Sequence, residues 1–376
     1  MPPQAHAILS ASSAERWLNC PPSALKNAEM EDTTSSYAEE GTAAHALCEW
    51  KVRKATEEDF NEPRPESEYY DTTMEDCSEE YKNYILEMLN KSKSPNIFIE
   101  QRLDFSDWVP QGFGTGDCLI ISEGELNIID FKYGKGVEVS AVDNSQLKCY
   151  ALGAYALFSD LYDIETITLT IFQPRINHID TWSCDLKHLL DWAEEVLKPT
   201  AELAIKGEGE LKAGDHCRFC KAKTLCRKRA EYNLSLARYD FAMPDELTDA
   251  EIEDVLDKAS NFKNWIGDIE EYALNQGLSG HKWERYKVVE GRSNRKFRDP
   301  DRVAELILAE GKEPYRPQEL KTLTDIEKML GKKHFSEVLG AFVEKPQGKP
   351  TLVPRTDKRD EYIPKNTAAE DFADEE

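Results

Sequence analysis

The chain has no run of about eighteen apolar residues, so the sequence predicts no transmembrane helix. Its first residues, MPPQAHAILSASS, lack the basic-then-apolar pattern of a secretory signal, and a cytoplasmic placement is expected. No repeat is visible across the 376 residues, a length that suits one large domain or two modest ones. No G-x4-G-K-[ST] loop is present, which excludes a P-loop motor. Positive charge is scarce: 47 Lys and Arg face 72 Asp and Glu, a net charge of −25. Cysteine is odd in number, at nine, which argues against a disulfide framework.

The acidity is uneven. Much of it lies between Glu29 and Glu80 and after Ala368. Cys217 to Arg229 carries six basic residues, among them Arg218, Lys221, Lys223 and Arg227, and no acid. Lys282 to Arg298 carries seven, including Lys282, Arg285, Lys287, Arg292, Arg295 and Lys296, against Glu284 and Glu290. An acidic shell with local basic strips is compatible with nucleic acid held in a defined groove. Trp283, Tyr286 and Phe297 are interleaved there, either to stack bases or to fill one face of a hairpin over His281–Phe297.

In a reducing compartment, clustered cysteines more often bind metal than pair. Cys217, Cys220 and Cys226 read C-x2-C-x5-C, and Cys20 stands alone near the start. Four such thiolates suit Zn²⁺ or an iron–sulfur cluster, and spacing alone does not choose between them. Tying Cys20 to the trio would close a very long loop, which constrains the unfolded chain strongly. Cys48, Cys77, Cys118, Cys149 and Cys184 are scattered and read as small buried hydrophobes.

Between the cysteines, pattern predicts helices at Ala14–Leu18, from Gly41–Thr42 through HALCEWKVRKA, and at Glu79–Ser92. A loop is expected from Thr56 to Asp76, strands at Asn96–Leu103 and Glu165–Phe172, and helices at Asn144–Leu157 and Asp185–Ile205. A long helix at Thr248–Asn275 opens with the capping pair Thr248 and Glu251, and short helices follow near Asp299–Glu310 and Thr324–Leu339. GDCLIIS and ELNIIDFK read as a hairpin turning at Glu123-Gly124. In that register facing residues sum to 247, so Asp117 and Asp130 lie opposite each other, their Cβ atoms roughly 5 Å apart. Lys132 follows Asp130 by two and shares its face. Two facing carboxylates need a cation, and Mg²⁺ or Mn²⁺ prefers oxygen ligands. The Phe131 carbonyl and His45 are further ligand candidates, His45 favouring Mn²⁺. Lys132 would help form hydroxide and stabilise charge on an attacked phosphorus. Gln146 and Tyr150, four apart on one helix face, would position the nucleophile or the phosphate.

These residues, in this order, resemble the PD-(D/E)xK nucleases of the RecB type. His45 in EGTAAH, Asp117 in GTGD, Asp130 and Lys132 in IIDFK, and Gln146 and Tyr150 in QLKCY look like that family's motifs. Asp130 stands where many relatives carry Glu. Cys20 with the late trio is similar to the family's iron–sulfur branch, which includes the AddB nuclease domain and the CRISPR adaptation nucleases and binds a [4Fe–4S] cluster. LSASSAERWLNCPPSA with YAEEGTAAH also looks like a phage- and prophage-borne branch. The resemblance spans about Leu9 to Arg229. It implies an α/β, restriction-endonuclease-like core: a central mixed sheet between helices, with a helical region stapled by the cluster. The division expected is a nuclease domain at 1–235, an α+β extension at 236–345 and an acidic tail at 346–376. The implied activity is a metal-dependent DNA exonuclease in a bacterial cytoplasm, acting in phage recombination, replication or end processing on single strands or duplex ends. Its implied partner is a phage annealing or recombinase protein, with an oligomer possible. The alternatives are a DNA-end-binding or assembly protein with an idle nuclease centre, and a CRISPR-adaptation-like nuclease.

Overall fold

The computed structural model describes residues 7–30, 36–235, 247–289, 326 and 330–343. Met1–Glu319 form one compact unit and Leu320–Glu376 another. In the first unit the chain runs α1 (Ala14–Asn19), α2 (Ser23–Ala28), α3 (Ser36–Thr56), α4 (Thr72–Lys91), β1 (Asn96–Asp104), β2 (Phe113–Ser122), β3 (Glu125–Phe131), α5 (Ser145–Phe158), β4 (Thr166–Gln173) and β5 (His178–Asp185). There follow α6 (Leu186–Trp192), α7 (Lys198–Lys206), α8 (Arg227–Leu234) and α9 (Asp249–Leu278). In the second unit the described residues form α10 (Lys332–Leu339) and a short 3-10 turn, Gly340–Phe342.

The sheet has five strands in the order β1-β2-β3-β4-β5. All neighbours are antiparallel except β3 and β4, which run parallel. A parallel pair needs a crossover, and α5 lies in that connection. The protein is therefore α/β, with a mixed sheet flanked by helices, as the sequence led us to expect. One face packs Leu119, Ile121, Leu126, Ile128 and Leu169 with residues of α1, α2, α5 and α7. The other packs Cys118, Ile120, Ile129 and Phe131 with α3 and α4. Strand alternation produces both cores at once: odd residues of β2 serve one face, even residues the other.

The hairpin follows the expected register. Pairs from Ser122↔Glu125 to Cys118↔Ile129 all sum to 247, and Gly124 takes φ +73 at the turn. Asn144 caps α5 by accepting from the Leu147 amide, and Thr248 and Glu251 form a complete capping box on α9.

Several elements depart from expectation. α3 begins at Ser36, because Gly41 costs a helix only about 1 kcal/mol and good helix formers precede it. α4 begins at Thr72, where the Asp71 side chain accepts from the Met74 amide, so the loop is shorter than expected. β5 was not expected, although HIDTWSCD alternates strictly between half-buried and exposed positions. The helix expected over Asp185–Ile205 holds a π turn at Ala193–Leu197, just before Pro199, which brings no N–H to the ladder. The hairpin expected over His281–Phe297 is corrected in part: residues 281–289 carry no strand. Trp283 instead donates its indole N–H to the Ala273 carbonyl of α9, at 3.0 Å. The rest of that hairpin, the helix near Asp299–Glu310 and the tail at 346–376 lie outside the described residues.

Candidate functional site

Asp117 and Asp130 occupy the end of the β2–β3 hairpin, one step beyond its last ladder pair. There the Asp117 carboxylate accepts the Phe131 amide at 2.7 Å. Lys132 follows directly after β3, and its Nζ lies 2.9 Å from Asp130 Oδ2. α5 supplies Gln146, which joins the group together. Its Oε1 accepts from Lys132 at 3.2 Å, and its Nε2 lies 3.1 Å from both Asp130 Oδ1 and the Tyr150 hydroxyl. α3 supplies His45, whose Nδ1 stands 3.3 Å from Asp117 Oδ1 and whose ring meets Phe131 edge-on. The structure thus brings His45, Asp117, Asp130, Lys132, Gln146 and Tyr150 to one end of the sheet.

Glu100 is the residue that sequence reasoning missed. Its carboxylate, the Asp117 carboxylate and a His45 nitrogen have ligand atoms within 4.8 Å of one another. The signal lay in strand register. β1 and β2 pair with numbers summing to 217, which sets position 100 opposite 117. That pair is left out of the ladder, and Glu100 takes φ +48, a left-handed conformation costly for a side-chain-bearing residue. The kink directs an acidic residue toward the site at the expense of backbone pairing. Asp130 is not in the group of three; it faces Lys132 and Gln146.

Electrostatics divide the acids. Burial pushes Asp117 up, but His45 and Lys132 hold it below the ordinary aspartate value. Asp130 is pushed above that value, first by burial and then by the neighbouring Asp117 charge, with Lys132 opposing. Burial works against protonation of His45, yet Asp117 raises it to about 9. Glu100 rises to about 7, through burial and then Asp117. Asp130 Oδ2 is buried and makes no hydrogen bond in good geometry, although the Lys132 ammonium is near. One buried oxygen so placed, beside a His–Glu–Asp triad, suits a hard divalent cation.

The cysteines converge in part. Cys20 ends α1, Cys217 lies within a 3-10 turn (Asp215–Phe219) that Cys220 ends, and Cys226 is the N-cap of α8. Arg16 feels the charge of both Cys220 and Cys20, which opposes the lowering caused by burial. His216 is also lowered by burial, but a hydrogen bond to Cys20 raises it above its ordinary value. The first thiol and the late segment are therefore neighbours despite their distance in sequence. Cys48, Cys77, Cys118 and Cys149 are buried and Cys184 is half-buried, as expected of packing cysteines.

The basic residues fare differently. Lys223 pairs with Asp268 at 2.7 Å, and the Lys221 ammonium donates to the Met30 carbonyl. Arg218 lies over the exposed Phe219 ring, while Arg227, Lys282, Arg285 and Lys287 are exposed. Arg292, Arg295 and Lys296 lie outside the described residues.

A family model described as "Protein of unknown function (DUF2800)" matches residues 6–360. The chain belongs to the DUF2800 family. Its match reaches from before α1 to beyond α10, so the candidate site and the cysteine set both lie within this DUF2800 chain's matched span. A solved structure titled "Crystal structure of SSO0001" is similar at 14% identity over 57% of this chain and 96% of that one, with a TM-score of 0.22. No helix among the described residues is long and apolar enough to cross a membrane.

Proposed function

We propose that this chain is a metal-dependent deoxyribonuclease with a restriction-endonuclease-like core. The observation that carries the proposal is the convergence of His45, Glu100, Asp117, Asp130, Lys132, Gln146 and Tyr150 from α3, β1, β2, β3 and α5. The reaction is hydrolysis of a phosphodiester. Water oxygen bonds to phosphorus, the bond to the leaving oxygen breaks, one water proton is shed, and the leaving oxygen gains a proton.

His45, Glu100 and Asp117 would hold a divalent cation, with Asp130 completing the acidic wall. Bound there, Mg²⁺ or Mn²⁺ would supply Lewis-acid charge to the phosphoryl group. Lys132 brings a fixed ammonium toward the charge that develops on the phosphate oxygens. Gln146 keeps that ammonium and Asp130 in register, and Tyr150 holds Gln146 from the next turn of α5. DNA is the substrate, single-stranded or at duplex ends, and end resection in phage recombination is the setting that the family resemblance suggests.

Cys20, Cys217, Cys220 and Cys226 would hold a [4Fe–4S] cluster. The family resemblance favours the cluster over zinc, and hydrogen-bond donors facing Cys20 and Cys220 suit its sulfur ligands.

The test uses anaerobically purified protein, end-labelled single- and double-stranded DNA, and Mn²⁺ or Mg²⁺. Degradation that needs the cation and disappears in Asp130→Ala and Lys132→Ala is expected. Folded, metal-supplied protein that leaves every substrate intact would leave a binding protein as the better reading.

A further inference from the structure

We propose that Asn27 is a positioning residue for the iron–sulfur centre: it fixes the Cys220 sulfur from α2 and sets how tightly the centre is held and how readily it is reduced. The inference rests on the cluster reading above and goes beyond the four thiolates.

The Asn27 side chain is 6% exposed and makes three bonds. Its Nδ2 donates to Cys220 Sγ at 3.2 Å and to the Ser23 carbonyl at 2.8 Å. Its Oδ1 accepts the Lys221 amide at 2.8 Å. Both amide protons and the oxygen are therefore in use, so the amide cannot rotate without losing a bond. The partners across the chain lie 193 and 194 residues away. One short side chain thus grips the sulfur of Cys220 and the backbone of the next residue together, as a clamp would.

Arg16 reinforces this arrangement. Its guanidinium donates to the Ser23 carbonyl at 2.8 Å and to the Ser23 hydroxyl at 3.0 Å, so the same turn of α2 holds it. The Ser23 carbonyl accepts from Asn27 and Arg16 alike. The N-terminal arm thereby delivers an N–H donor to one thiolate and a half-buried cation near two.

The physical consequence follows from charge. Adding an electron to a cluster raises the negative charge on its sulfurs, and an N–H aimed at sulfur stabilises that state. Removing the donor disfavours reduction. Putting a carboxylate in its place disfavours it further. Ligand support from outside the first coordination layer commonly changes metal affinity by about 10- to 100-fold.

The experiment compares anaerobically purified full-length wild type, Asn27→Ala and Asn27→Asp. Iron and sulfide per chain, the rate of bleaching by a strong chelator, and the midpoint potential of the visible chromophore are measured, with far-UV dichroism as the fold control. Bleaching about 10- to 100-fold faster is expected in Asn27→Ala, with a more negative potential that falls again in Asn27→Asp. Asn27→Asp has the shape of the native residue, so it carries the test if Asn27→Ala fails to fold. A packing role alone would leave the potential of the remaining clusters unmoved, and that result overturns the proposal. Wild type that holds no iron overturns the cluster reading and this inference together; iron-loaded variants that behave as wild type overturn this inference alone.

Discussion

Binding of Mn²⁺ to the metal-free protein should release protons, in a number that changes with pH. His45 sits 3.3 Å from Asp117, which raises its pKa to about 9 against the effect of burial. Glu100 titrates at about 7, raised by burial and by Asp117. An imidazolium has no lone pair to give, so ligation through His45 expels its proton, and the same holds for a protonated Glu100. Each proton expelled makes apparent affinity rise about tenfold per pH unit, until pH passes that group's pKa. From pH 6 to 7 two groups contribute, and affinity should rise by on the order of a hundredfold. Above pH 7 only His45 contributes, about tenfold per unit, with about 9 as the ceiling. His45 is 34% exposed, and solvent screening draws that ceiling down. Calorimetric titration in two buffers of different ionisation enthalpy counts the protons directly. His45→Ala should bind more weakly and lose the pH dependence above 7. The sign for stability without metal follows from the same shifts. Both groups have raised pKa values, so His45 stabilises the fold fully below about 6.5 and loses this as pH rises through about 9. Glu100 does so below about 4.5 and loses it through about 7. Chelator-treated protein should therefore melt lower as pH rises, with Mn²⁺ restoring more at pH 8 than at pH 6. A wild-type affinity that is flat from pH 6 to 8, with no proton release, refutes ligation by His45 and Glu100.

Glu100→Gly should raise the melting temperature of the metal-free protein, since glycine accepts φ +48 where a side chain costs about 1–2 kcal/mol, while weakening Mn²⁺ binding in calorimetry. Asp268→Ala removes the partner of Lys223 and of Arg229, which is 4% exposed; the buried guanidinium left behind should cost about 3–5 kcal/mol, read by urea denaturation, and a loss under 1 kcal/mol counts against this buried pairing. Gly114→Ala places a methyl 2.7 Å from Tyr150 Cε1, so it should push that ring off Gln146 and lower cleavage at least tenfold with little change in far-UV dichroism.

Much of the site was legible because the hairpin imposes a simple rule. Once Glu123-Gly124 is the turn, strand period dictates where Asp117, Asp130 and Lys132 go, and α5 needs only a four-residue spacing to set Gln146 beside Tyr150. Glu100 was hidden because the reading treated β1 as a strand without pairing it to β2. A register sum would have found it, but its positive φ would not, since nothing in NIFIEQRLD announces a kink. β5 was missed because Gln173-Pro174 reads as an end; Asn177, at φ 52, turns the chain back within three residues. The basic strips were legible only in part: composition counts charges but not their partners, and Lys223 has one in a helix 45 residues downstream.

Under the proposed function, an acidic chain would have to bring a free cation to a phosphate. Around the core, cations are already engaged: Arg53 with Glu49 and Glu57, Arg175 with Glu40, Lys51 with Glu75 and Glu79, Lys223 and Arg229 with Asp268. Recruiting any of them to DNA would strip a partner of its counter-charge, a cost that grows with burial. Lys132 is the exception in kind. It too is paired, but its partner Asp130 is the carboxylate that burial and Asp117 already push toward the neutral form. Under the proposed function, a divalent cation beside Asp130 would share its charge and leave the ammonium to face a phosphate. Lys132 is thus proposed as the phosphate-facing charge from its pairing with Asp130 at the candidate site as well as from its place in D-x-K.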